Sequence, residues 1–190
     1  MVGAHEHGVA RLSLAVDSAE IHMMLDVPGD VLFGFERAPR TDEERTLVAK
    51  RVGALESGLA SAVVLPAGLG CRAAGPVQLE GVPDPADAGE HAGEEEHEES
   101  DDNTHGEDTH DEHTHDEEGQ HEGAEPEDHA GDHLEVTAEV TLTCERSPEG
   151  AEATLAILDL LPELELVDLT VLTSKGDAAA RVAGDAAFGF

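Results

Sequence analysis

The sequence predicts an α+β protein of two small lobes, each built of antiparallel strands with one helix, separated by a disordered, acidic, His-rich insert. Three observations carry this reading. Stretches near the start of the chain and after residue 133 alternate apolar and polar residues at period two, the pattern of strands with one wet face. In each half a capped apolar stripe at helical spacing follows. Between the halves, the 50 residues from Asp84 to His133 hold 22 Asp+Glu and nine His, with no Lys or Arg and no Val, Ile, Leu, Met or Phe. A segment with so few apolar groups buries nothing that offsets the entropy of ordering it. The expected organisation is an N-terminal lobe over 1–83, an insert over 84–132 and a C-terminal lobe over 133–190. A chain of 190 residues has room for that and for little more.

The first lobe opens on His5-Glu6-His7-Gly8. Ala10, Leu12, Leu14 and Val16 then recur at period two, as do Ile21, Met23, Leu25 and Val27, with Asp17-Ser18-Ala19 as a turn between them. The two runs predict a hairpin, which Pro28-Gly29-Asp30 ends. Thr41 and Glu44 form a capping box, and Asp42 and Glu43 suit the positive end of a helix dipole. Val48, Val52, Leu55 and Leu59 supply that helix with its buried stripe. A short strand is expected around Cys71 to Val82.

The second lobe begins with a long strand. Leu134, Val136, Ala138, Val140, Leu142 and Cys144 face one way, and Glu135, Thr137, Glu139, Thr141 and Thr143 the other. Ser147 before Pro148 and Glu149 reads as a helix start, with Leu155, Leu158 and Leu161 as its stripe and Pro162 as its stop. Leu164 to Thr173 reads as a buried strand, and a weaker one runs from Ala180 to Phe188.

Charge excludes several classes of function. The formal net charge is −34, from 44 acids against 10 bases. Sequence-independent nucleic-acid binding needs a basic footprint that this chain lacks. A polybasic membrane dock is excluded on the same ground, and no apolar run approaches the length of a membrane span. There is no His-Glu-x-x-His pair and no Gly-x-Ser-x-Gly elbow, so the expectation is a protein that is not an enzyme.

Cys71 and Cys144 are the only cysteines, one in each predicted lobe. They are either two buried free thiols or one disulfide spanning the insert, and a disulfide would indicate an oxidising compartment. Met1-Val2-Gly3 runs straight into His5 with no charged and apolar leader. The expectation is that a signal peptide has been removed.

The histidines point to metal. In the insert, Thr104-His105, Thr109-His110 and Thr114-His115 recur every five residues; His91, His97, His113, His121 and His129 complete the set. Neutral imidazole is a favoured ligand for Zn²⁺, Cu²⁺ and Ni²⁺, and carboxylates complete a shell. Flexible spacing predicts several weak, exchangeable sites. Asp101, Asn103, His105, Gly106 and Glu112 fall near a calcium-loop pattern, but the flanks lack the apolar helices such a loop needs. His5, His7 and His133 differ, since each lies just before the first strand of its lobe. Three imidazoles with an open position make a zinc site that can also release its ion. Zn²⁺ is thus the expected metal, with Cu²⁺ or Ni²⁺ able to bind in vitro. His22, on the polar side of its strand, reads as a surface histidine.

These features together resemble the ZrgA-like periplasmic zinc-binding proteins. The likeness lies in Ala4-His5-Glu6-His7-Gly8-Val9, Gly34-Phe35-Glu36-Arg37-Ala38-Pro39, the Gly70-Cys71 pair, the His/Asp/Glu-rich insert, and His133 leading the strand to Cys144. The resemblance implies α/β-type lobes, a periplasmic location, a role in bacterial zinc uptake beside an ABC-type importer, and His5, His7 and His133 as the ligands of a folded site. One departure is Arg37, where the family often has His; a guanidinium does not ligate metal. The alternative is a periplasmic buffer or sink for Zn, Cu or Ni with no transporter partner.

Overall fold

A computed structural model describes residues 8–84 and 134–190. The insert, apart from Asp84, lies outside the described residues. The N-terminal half begins with strands β1 (Val9–Asp17) and β2 (Glu20–Pro28), then helices α1 (Gly29–Phe33) and α2 (Asp42–Gly58). Short strands β3 (Val63–Val64), β4 (Arg72–Ala73) and β5 (Gln78–Glu80) follow. The C-terminal half is all strand: β6 (Glu135–Thr143), β7 (Glu152–Leu155), β8 (Leu166–Thr173), β9 (Gly176–Val182) and β10 (Ala186–Gly189). No described helix is long and apolar enough to cross a membrane.

The halves do not form separate lobes, and this corrects the sequence reading. One seven-stranded sheet runs β4-β6-β2-β1-β8-β9, with β5 also on β6, and takes strands from both halves. An isolated hairpin of β1 and β2 would leave two open edges and be marginal in water. Instead β6 pairs with β2 along its whole length, Glu20 opposite Thr143 and Pro28 opposite Glu135. On the other side β8 pairs with β1 in parallel, Val9 opposite Leu166. The sheet is therefore mixed rather than antiparallel throughout. A second, three-stranded sheet runs β10-β7-β3 and again draws on both halves.

The period-two patterns place the core where expected. Ala10, Leu12 and Leu14 of β1, Ile21 and Leu25 of β2 and Val136 and Ala138 of β6 are fully buried. They meet Val48 and Leu55 of α2, with Leu59 just beyond it, and Ala153 and Leu155 of β7 in one continuous cluster. The opposite, open face carries cross-strand polar pairs. Thr137 donates to Asp26 at 2.7 Å, and Arg181 binds both oxygens of Asp168 at 2.7 and 2.9 Å. Arg181 is also the main reason the Asp168 carboxyl titrates below its usual range.

Three element assignments change. The helix expected after Ser147 is absent. Ser147 does cap a turn, its hydroxyl accepting from Glu149 N at 3.3 Å, but the chain then enters β7. Ala153 and Leu155 are buried in alternation there, and β7 pairs with β10 and β3. Leu155, Leu158 and Leu161 mimic a helical stripe, but sheet pairing on both edges of β7 outweighs it. The single strand expected around Cys71 to Val82 is two, β4 and β5, both on β6. The weak final strand is also two, β9 and β10, in different sheets. By contrast α2 starts as read: Thr41 is its N-cap, its hydroxyl accepting from Glu44 N at 3.2 Å.

Cys71 and Cys144 form a disulfide, with Cα atoms 3.8 Å apart. Cys71 precedes β4 and Cys144 follows β6, and these strands are neighbours, Arg72 opposite Thr143. The bridge thus staples two strands of one sheet from opposite sides of the insert.

Candidate metal-binding end of the sheet

Four strand ends gather at one end of the large sheet. Arg11 near the start of β1 lies opposite Asp26 near the end of β2. Pro28, which ends β2, lies opposite Glu135, which starts β6. Val9, which starts β1, lies opposite Leu166, which starts β8. The chain therefore enters β1 at Gly8 and β6 at Leu134 on the same side, with only β2 between them. Two strand spacings set their backbones about 10 Å apart. Arg11 Nη1 and Glu135 Oε2 close part of that gap, 3.9 Å from one another across β2.

Both entry points are held. Leu134 O accepts from Gly29 N, and a Cβ on Gly29 would come within 2.9 Å of the Leu134 side chain, so the turn after β2 packs directly onto the residue that follows His133. Gly8 O accepts from Glu165 N at 2.9 Å and Leu166 N at 3.1 Å. The same end of the sheet has a cleft of about 400 Å³ lined by Gly8, Asp30, Phe33, Arg51, Glu163 and Glu165. The Nε of Arg51 is buried and has no hydrogen-bond partner among the described residues.

The sequence-predicted ligands stand as follows. His5, His7 and His133 lie outside the described residues, as do His91, His97, His105, His110, His113, His115, His121 and His129. Among the described residues, no group of three or more His, Cys, Asp or Glu is arranged to hold a metal ion. Strand β1 starts at Val9, and Gly8 takes a left-handed φ of 76°. The strand thus begins two residues after His7. His22 is exposed on the open face, its Nδ1 3.1 Å from Thr141 Oγ1 and its Nε2 3.9 Å from Glu20 Oε2. It lines a groove of about 700 Å³ with Met24 and Glu139. Glu163 and Glu165 were not singled out in sequence. Their position before a buried strand carries no signal, and only the parallel pairing of β8 with β1 brings Glu165 to Gly8.

Arg37 serves the fold. Its guanidinium binds both oxygens of Glu44 at 2.9 and 2.6 Å and lies 5.1 Å from the centre of the Phe35 ring. Glu44 also accepts from Arg40 N at 2.6 Å. The hydrogen bonds from Arg37, then from Arg40, hold the Glu44 carboxyl at about 2.

The family model described as "ZrgA family zinc uptake protein" matches residues 4–187. The chain belongs to this family. No curated protein matches the chain. ZrgA membership links the chain to zinc handling in a non-catalytic role and spans both halves of the fold.

Proposed function

We propose that the chain captures Zn²⁺ in the periplasm and passes it to an ABC-type importer. In this reading His5, His7 and His133 hold one tightly bound ion at the end of the large sheet. The insert histidines supply weaker, exchangeable sites that gather the cargo. The observation that carries the reading is the register. Gly8 and Leu134, the residues that follow His7 and His133, enter the sheet side by side about 10 Å apart, although the whole insert separates them in sequence. Side chains reaching inward from two such points can share one ion. Three imidazoles leave a fourth position open to a recipient's ligand, which favours transfer over storage. The disulfide supports an oxidising compartment, and the negative charge of the chain raises the local cation concentration.

Calorimetric zinc titration of three proteins tests this. The intact chain should show one tight site and several weak ones. Deleting 85–130 and closing the gap with a short Gly/Ser linker should keep the tight site and remove the weak ones. Replacing His5 and His7 with Ala should do the reverse. If the deletion abolishes all binding while the His5/His7 change is silent, the folded site does not exist.

A further inference from the structure

Strand β9 ends the large sheet with one edge unpaired. On its inner side it pairs with β8 in an unbroken register, from Thr173 opposite Gly176 to Val167 opposite Val182. No other described strand pairs with it, and among the described residues no turn or cap backbone hydrogen bond reaches 176–182. Gly176 to Arg181 are all exposed. Natural proteins blunt such edges with proline, lysine or a bulge, and β9 has none of these. Which backbone groups face outward follows from the turn. Only Ser174 and Lys175 separate Thr173 from Gly176, so those two residues form a hydrogen-bonded pair. Alternation then directs the N–H and C=O of Asp177, Ala179 and Arg181 away from β8. The side chains of the same three residues share the open face, where Arg181 grips Asp168. Among the described residues, no ion pair or side-chain hydrogen bond engages Asp177.

We propose that β9 pairs antiparallel with β9 of a second copy of this chain, centred on Ala179, so that the large sheet continues from one copy into the next. The run Asp177-Ala178-Ala179-Ala180-Arg181 is self-complementary in that register. Ala179 stands opposite the partner's Ala179, and Asp177 stands opposite the partner's Arg181 at both ends of the two-fold seam. The outward-facing residues then meet as hydrogen-bonded pairs, each exchanging both N–H···O bonds. A slip of two residues would set Ala179 opposite the partner's Arg181 and lose both charge pairs, so charge selects the register. The alanines between the charges place no bulky side chain at the seam. One strand from each copy buries a small area, which makes this a weak, concentration-dependent dimer.

The net charge of −34 opposes self-association at low salt. The test is therefore run at physiological ionic strength, where fields are screened beyond about 8 Å. Sedimentation equilibrium of the full chain over a concentration series should show monomer and dimer exchanging. Ala179→Pro removes an outward N–H but none that bonds β8, so it should abolish the dimer and leave Tm close to the parent's. Asp177→Lys and Arg181→Glu each set like charges opposite one another at both ends of the seam. Each variant alone should dimerise roughly tenfold or more weakly. Mixed in equal amounts, the two restore opposite charges at both positions and should recover most of the parent's affinity as a heterodimer. This arm separates register from folding damage, since Arg181→Glu also takes away the partner of Asp168. A parent chain that stays monomeric throughout would overturn the proposal. So would a dimer indifferent to Ala179→Pro, which would put the contact elsewhere. A mixture that fails to recover, although both variants are folded by circular dichroism, would overturn it as well.

Discussion

Cutting the Cys71–Cys144 bridge should cost this protein a large share of its stability, and the size of the loss is calculable. The cysteines are 73 residues apart, and most of the loop they close is the insert. Restricting an unfolded loop of that length contributes about 4 kcal/mol on the chain-entropy account. At roughly 2–4 °C per kcal/mol for a chain of this size, reduction should lower Tm by roughly 8–16 °C. The folded side of the comparison is simple. Each cysteine adjoins strands that already pair, and the hydrogen bond from Cys144 N to Ala19 O at 2.8 Å does not involve the sulfur. The reduced protein should therefore keep its sheet and lose only the constraint. Thermal melts with and without a thiol reductant read the effect, and thiol labelling under denaturing conditions confirms the bridge in the starting material. The insert deletion sharpens the test. Closing 85–130 with a six-residue linker shortens the loop from 73 to about 33 residues, so reduction should cost about 0.7 kcal/mol less in that variant. A reduction penalty below about 1 kcal/mol in the full chain, or one that grows when the loop is shortened, would refute the loop-entropy reasoning.

Acid should act through Glu44. Its carboxyl is held at about 2 against an ordinary 4.5, so the Arg37–Glu44 contribution is complete above pH 4.5 and fades as pH falls towards 2. Melts of Glu44→Gln against the parent at pH 5 and pH 2.5 should differ most at pH 5; a difference that grows in acid would reverse the sign and reject the assignment. Leu155→Ala should destabilise by about 2–5 kcal/mol in denaturant titration, because Leu155 is fully buried between Val63 and Ala186. A loss below about 0.5 kcal/mol would mean that β7 is not part of the core.

The sequence alone determined the elements whose signals are local. The alternations in β1, β2 and β6 each name a buried face, because side-chain period two is a property of one strand. Thr41 and the Val48, Val52, Leu55 spacing define α2 for the same reason, since cap and stripe lie within a few turns of one another. The link to zinc handling was legible too, because composition and short motifs are read without a fold. Tertiary structure decided the rest. The parallel pairing of β8 with β1, and the placing of β6 beside β2 rather than in a lobe of its own, are long-range choices. They depend on which edge satisfies the most backbone groups while burying the most apolar surface, and no window of sequence contains both partners. Strand β7 was misread because leucines three apart suit a helix as well as they suit a strand followed by turns; Val63 and Ala186, distant in sequence, broke the tie. The same long-range pairing brings Glu165 to Gly8 and sets Leu134 two strands from it. What gathers at the end of the sheet is thus a product of register, which the chain acquires only when its two halves fold together.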